Sequence, residues 1–343
     1  MFISNKKVAE VSRINNFGYI DWMLGNTCNY KCSYCFDGAS DGTYRPPEFN
    51  DILIENIKHL QNTISENSTI DTFWHFAGGE PTLYKDLKTI VKFIKSFNKT
   101  YVSMTSNGSR TERWWKENIN LFDTLSLSYH TEFSNLDHFK KIINYSNSFI
   151  TINVMIGSPN YEQAIIAFKD FSKHILDNKL DNIYLKFLIL RDPFRKKYTF
   201  VDLNTEQKQN VISIQEDYDF KHEQLSSTRT VSSKLIDRSA VFYVEGETAP
   251  IVLEKKHEFA FQGSWKGYQC FAPRDLIQIH EDGSLGRLSC GQKLTVTNIF
   301  EHDFIKKFVH YKDGITCNIG TCGCLGLLEA TKKLQFNLND TNI

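Results

Sequence analysis

Six short apolar runs, each followed by a polar or helix-like stretch, predict an α/β fold built on a parallel sheet. The runs recur between residues 18 and 190. They are rich in β-branched and aromatic residues, as strands buried on both faces require. The stretches between them place apolar residues three and four apart, on one face of a helix. With 343 residues and 41% hydrophobic content, the chain can bury a sizeable core.

In chain order the strands are expected at YIDWML (19–24), TIDTFWHF (69–76), TYVSMT (100–105), TLSLSYH (124–130), FITINVMI (149–156) and NIYLKFLIL (182–190). A helix over 49–62 would bury Ile52, Ile57 and Leu60. One over 84–97 would bury Leu87, Ile90, Val91, Ile94 and Phe97. One over 161–176 would bury Ala164, Ile165, Phe168, Phe171 and Ile175. Repeated strand–helix units argue for parallel pairing. In such folds reactive groups gather beyond the C-terminal ends of the strands. The second run leads into AGGEPTLY (77–84), the third ends in TSNG (105–108) and the fourth in SYH (128–130). Polar groups therefore collect at one end of the sheet.

The eight cysteines fall in two groups. Cys28, Cys32 and Cys35 follow the first strand with C-x3-C-x2-C spacing. Cys270, Cys290, Cys317, Cys322 and Cys324 lie near the C-terminus. The opening segment has no apolar signal core, and no run of about 18 apolar residues exists to span a membrane. A cytoplasmic protein is expected, in which clustered thiols read as metal ligands or catalysts before disulfides. Formal net charge is zero, which disfavours bulk nucleic-acid binding.

Three thiols leave a metal site one ligand short. A zinc site closes with four, and His59 or His75 would have to complete it. His75 alternates with Phe73 and Ala77, which fits either a barrel-lining or a satisfied core histidine. Zinc also leaves GGEP and the repeated strands without a role.

C-x3-C-x2-C after the first strand, with Tyr34 before the third cysteine, resembles the signature of the radical S-adenosylmethionine superfamily. GGEP after the second strand resembles its methionine-binding motif. The resemblance spans roughly residues 17 to 190. It implies a partial parallel (β/α)6 TIM-like barrel in which Cys28, Cys32 and Cys35 hold a [4Fe–4S] cluster. S-adenosylmethionine would chelate the fourth iron and be cleaved to a 5′-deoxyadenosyl radical that abstracts hydrogen from a substrate carbon. By the same resemblance Tyr34 lies against the adenine, and Gly78, Gly79 and Glu80 bind the methionine amino group. Ser128 and Asn107 contact the carboxylate or ribose.

Past residue 193 the pattern breaks. RDPFRKKYTF carries a basic run, read as a solvated face or a contact for an acidic substrate or a flavodoxin-like donor. NTEQKQNVISIQEDYDFKHEQ is polar and expected to be helical. LIQIH (276–280) and LGRLSC (285–290) flank EDGS, a hairpin turn signal. With ITCNIGTCGC (315–324), this region resembles the C-terminal SPASM extension and its shorter form, Twitch. The full SPASM pattern holds two clusters; five cysteines suffice for one auxiliary [4Fe–4S] cluster. The resemblance implies Cys270, Cys290 and two of Cys317, Cys322 and Cys324 as its ligands, the spare thiol being a bystander or a hydrogen donor to a substrate radical. A zinc knuckle is the competing reading.

The expected organisation is a barrel over 1–195, a linking, partly helical segment over 196–256 that covers the barrel mouth, a small β-hairpin/helix auxiliary-cluster domain over 257–330, and a polar tail over 331–343. Relatives with such extensions oxidise, epimerise or crosslink peptides, or act on sugar-like small molecules. Only 27 residues precede Cys28, too few for the leader-binding domain of many peptide-modifying members, so a separate leader-binding protein would serve a peptide substrate. Both substrate classes stand equal here. A flavodoxin- or ferredoxin-type electron donor is implied, with no nucleic acid and no membrane partner. The reading from another class is a non-catalytic iron–sulfur or zinc scaffold, which would have no need of GGE.

Overall fold

The computed structural model describes residues 8–13, 18–35, 38, 40–66, 71–190, 203–225, 240–244, 248–253, 265–286, 293–310, 312–317 and 332–334. The first strand, β1 (Val8–Arg13), belongs to a second sheet. The barrel strands are β2 (Gly18–Met23), β3 (Thr72–Ala77), β4 (Thr100–Ser106), β5 (Thr124–Tyr129), β6 (Phe149–Ile156) and β7 (Ile183–Ile189). They lie side by side in chain order, all parallel. This is the partial (β/α)6 barrel the sequence predicts.

Period-two alternation decides which side chains meet the helices. Ile20 and Trp22 of β2, Trp74 and Phe76 of β3, Leu125 and Leu127 of β5, and Ile150, Ile152, Val154 and Ile156 of β6 all enter one buried core. Helix α1 (Asp51–Glu66) adds Leu53, Ile57, Leu60 and Ile64 to it, and α2 (Leu87–Ile94) adds Leu87, Ile90, Val91 and Ile94. Ile57 and Leu60 are buried as expected, whereas in the first turn of α1 Leu53 is buried and Ile52 only partly so. Two short helices not singled out above, α3 (Glu112–Asn118) and α4 (Leu136–Ile143), complete the repeats. Thr111 accepts from Trp114 N–H and Asn135 from His138 N–H, capping their first turns. Helix α5 (Tyr161–Asp177) buries Ala164, Ile165, Phe168, Phe171 and Ile175.

An open barrel leaves two sheet edges, and unpaired edge groups need partners. Helix α6 (Thr205–Leu225) covers β7 with its polar side chains. Phe187 N–H donates to Gln215 Oε1 at 3.0 Å, and Gln215 Nε2 donates to Leu185 O at 3.1 Å. Leu185 N–H donates to the Tyr218 hydroxyl at 3.2 Å, and His222 Nε2 lies 2.8 Å from Ile183 O. A helix of this polarity therefore has a structural task along the β7 edge.

At the other edge β2 pairs in parallel with β11 (Leu276–Ile279). A hairpin carries the sheet on through β12 (Ser284–Gly286) to β13 (Lys293–Asn298), giving nine strands in the order β13-β12-β11-β2-β3-β4-β5-β6-β7. The turn uses Gly283 at φ 83, a conformation that suits glycine. The hairpin expected in the C-terminal unit thus extends the barrel sheet. The second sheet has the order β14-β10-β15-β1-β8-β9. It joins β1 to β8 (Ala240–Val244), β9 (Ile251–Leu253), β10 (Tyr268–Cys270), β14 (Ile315–Thr316) and β15 (Lys332–Leu334), with antiparallel neighbours. Among the described residues no helix is long and apolar enough to cross a membrane.

Candidate active site

The cysteine loop leaves the C-terminal end of β2 against the loop that follows β3. Leu24 N–H donates to Ala77 O at 2.7 Å, Gly79 N–H to Gly25 O at 3.1 Å and Glu80 N–H to Thr27 O at 2.8 Å. This continues the pairing of the two strands into their loops. A Cβ on Gly78 would sit 2.4 Å from Gly25 O, and one on Gly79 would sit 2.3 Å from Thr27 O. Both glycines are required by this close backbone approach. The close approach is to the backbone of the cysteine loop itself.

Glu80 is 2% exposed. Its Oε1 accepts from Thr82 N (3.1 Å), Thr82 Oγ1 (2.6 Å) and Ser106 Oγ (2.8 Å); its Oε2 accepts from Asn107 N at 2.7 Å. Burial raises its pKa above the usual carboxylate range, and the donors oppose that shift. The carboxylate thus ties the loop after β3 to the end of β4. Asn107 is buried in turn. Its Nδ2 donates to Asn29 Oδ1 at 3.0 Å and lies 3.7 Å from Cys28 Sγ. Ser128 is half-buried and lies in register with Asn153 on the neighbouring strand.

The loop after β5 grips the cysteine loop from the far side. His130 Nδ1 lies 2.8 Å from the Tyr34 hydroxyl and 3.4 Å from Cys32 Sγ. The Tyr34 and His130 rings stack at 5.8 Å with 14° between their planes. Glu132 accepts from Ser33 N at 2.9 Å and from the Ser33 hydroxyl. Tyr30 stacks on Phe133 at 5.1 Å. Neither His130 nor Glu132 was assigned a role from the sequence. The SYHTEF segment marks a polar strand end, but nothing local links it to residues almost a hundred positions earlier.

Burial holds the Cys28 thiol above its ordinary pKa. Cys32 is pushed up to about 12, mainly by burial and then by the neighbouring charge of Cys35. His130 is pushed down to about 4 by burial. Sulfurs that repel one another when ionised need a cationic centre to hold them as thiolates. Among the described residues no three His, Cys, Asp or Glu side chains converge as a single ion requires. An iron–sulfur cluster places each thiolate on a different iron, and the three cysteines of one short loop fit that donor set. His59 packs edge-on to Phe304 and Phe308, and His75 bonds Ser103 and Thr105, so both have other partners than the cysteines.

In the second sheet Cys270 and Cys317 are both buried. Cys317 N–H donates to Tyr268 O at 2.7 Å, which sets the two cysteines on adjoining segments. Cys290, Cys322 and Cys324 lie outside the described residues.

Comparison with known proteins agrees with this layout. The sequence profile of the Radical SAM superfamily matches residues 22–186. A protein named GTPase Obg from Brachyspira hyodysenteriae is 35% identical over 97 residues, 28% of this chain and 14% of that protein. GTP 3′,8-cyclase from Haemophilus ducreyi is 34% identical over 100 residues, 28% of each chain. The matches thus span well under two thirds of these relatives. The solved structure described as native anSMEcpe with bound AdoMet superposes with a TM-score of 0.50 at 17% identity, over 84% of this chain and 83% of that one, a likeness of fold. With its parallel barrel and the three-cysteine loop after β2, the chain is similar, through residues 22–186, to the Radical SAM superfamily.

Proposed function

We propose that the protein is a radical S-adenosylmethionine enzyme. The observation that carries this reading is the assembly at the C-terminal end of the sheet. There Cys28, Cys32 and Cys35 share one loop, backed by Gly78 and Gly79 and held by Glu80 and Asn107. When bound, the [4Fe–4S] cluster and S-adenosylmethionine supply a 5′-deoxyadenosyl radical that takes a hydrogen atom from a substrate carbon.

The chain's own residues hold and shield that chemistry. The three cysteines bind the cluster. The backbone of Gly78 and Gly79 brings the methionine-binding loop against it. Glu80 acts through Asn107: it accepts from the Asn107 backbone N–H, and the Asn107 side-chain amide lies beside Cys28. Tyr34 takes the adenine side, steadied by His130. Ser128 serves the ribose or carboxylate. In the C-terminal region (257–330), Cys270, Cys290 and two of Cys317, Cys322 and Cys324 form one Twitch-like auxiliary cluster, and a spare thiol is a candidate hydrogen donor. A cytoplasmic setting and a flavodoxin- or ferredoxin-type donor belong to the same reading. Oxidation, epimerisation and crosslinking remain the candidate outcomes.

The test is anaerobic reconstitution, reduction and assay for 5′-deoxyadenosine. The parent forms it, and Cys32→Ala does not. Full cleavage by Cys32→Ala would remove the cluster assignment.

A further inference from the structure

A closed parallel barrel fills its interior with bulky branched side chains. This one does not. Asp21, His75, Ser103, Thr105, Ser126 and Asn153 occupy inward positions from β2 to β6, opposite the faces that enter the core. They are linked: His75 Nδ1 lies 2.9 Å from Ser103 Oγ, Thr105 Oγ1 lies 3.1 Å from His75 Nε2, and Asn153 Nδ2 donates to Ser126 Oγ at 2.6 Å. At the N-terminal end of the strands Tyr19 stacks on Phe73 at 5.3 Å, with Leu276 and Tyr101 against them, forming an apolar floor.

Among the described inward side chains of these strands one atom is left over. Asn153 is 5% exposed, and its Oδ1 has no hydrogen-bond partner. Turning the amide over would leave the nitrogen unpaired instead. A buried polar atom without a partner costs about 1–3 kcal/mol, and such atoms in a polar recess are answered by a ligand or by ordered water. A hydroxyl group answers either orientation of the amide, because it both donates and accepts.

We propose that the barrel interior binds a small ring carrying hydroxyl or hydroxyl and amino groups, with one hydroxyl bonded to the unpaired half of the Asn153 amide. This rests on the radical reading above, in which hydrogen is taken from a substrate carbon. Hydroxyl, amide and imidazole side chains match the alternating donors and acceptors of such a ring, and the apolar floor suits its C–H face. Among the described inward positions of β2 to β7, Lys186 is the one Lys or Arg, a poor match for a triphosphate, which draws several cations. The apolar floor and polar walls favour a compact molecule over an extended peptide.

The test uses the full chain, anaerobically reconstituted with S-adenosylmethionine present and no reductant. Myo-inositol and glucosamine are titrated by thermal shift against the parent, Asn153→Leu, Asn153→Asp and Ser126→Ala. One of the two rings raises the parent's melting temperature. Asn153→Leu weakens its apparent affinity about tenfold, the size expected for a buried hydrogen bond. Asn153→Asp retains part of the response. Ser126→Ala also weakens it and serves if the leucine variant does not fold. Separate titration of S-adenosylmethionine identifies the group that Asn153 reads. Equal loss of cofactor affinity in Asn153→Leu would overturn the proposal, as would a parent indifferent to both rings or a variant that binds them equally well. Absence of 5′-deoxyadenosine from the reduced parent would count against the radical reading alone, because the ring titration needs no turnover.

Discussion

At the scale of single residues, the site rests on contacts with little room for change. Gly79 is the clearest case: its added Cβ would lie 2.3 Å from the carbonyl oxygen of Thr27. Gly79→Ala is expected to cost at least about 2 kcal/mol in denaturant unfolding, and a change within about 0.5 kcal/mol would show that the two loops separate easily. His130 is the second case. It reaches both Cys32 Sγ and the Tyr34 hydroxyl from a loop almost a hundred residues away. His130→Phe keeps a ring against Tyr34 and removes both polar contacts. The reconstituted variant is expected to lose iron to a chelator several times faster than the parent and to show altered cluster EPR values. An unchanged spectrum and rate would leave His130 a packing residue only. The cysteines and the glycine pair were legible in the sequence because their spacing is local. The clasp was not, because Ser33 and Glu132 carry no signal of their meeting. The carboxylate of Glu80 was expected beside the cofactor, and the fold adds what the sequence does not show, four donors from Thr82, Ser106 and Asn107 that hold it in place.

At the scale of elements, the six strands were readable because strands buried between helices and a lined interior must be apolar on one face throughout. Boundaries fell within a few residues of expectation. Helices α3 and α4 were not singled out, since seven or eight residues hold only two turns and give a weak period. The phase of α1 was ambiguous because Ile52, Leu53 and Ile54 form an unbroken apolar run. Helix α6 was readable as a polar helix, but its task was not. Gln215, Tyr218 and His222 satisfy the backbone of β7, a use that amphipathic reasoning does not anticipate. Gln215→Ala is expected to leave Phe187 N–H and Leu185 O without their side-chain partner, costing about 1–3 kcal/mol. Amide exchange at Phe187 should accelerate while that at β3 stays slow. Unchanged protection at Phe187 would mean that another group covers the edge.

At the scale of the whole molecule, distant segments of the chain meet in one sheet. EDGS announces a hairpin, yet only the folded chain reveals that β11 lies parallel to β2, about 250 residues earlier, with Gln278 Nε2 donating to Asp21 Oδ2 at 3.2 Å. The segment that follows Cys270 is thereby anchored to the strand from which the cysteine loop departs. The central claim is that Cys28, Cys32 and Cys35 hold an iron–sulfur cluster, and iron and sulfide content measures it directly. Anaerobically reconstituted parent should carry about eight irons, and the variant with all three residues changed to Ala about four, one [4Fe–4S] cluster being lost and the auxiliary cluster kept. Iron content unaffected by the triple substitution, or zinc in place of iron in the parent, would contradict it.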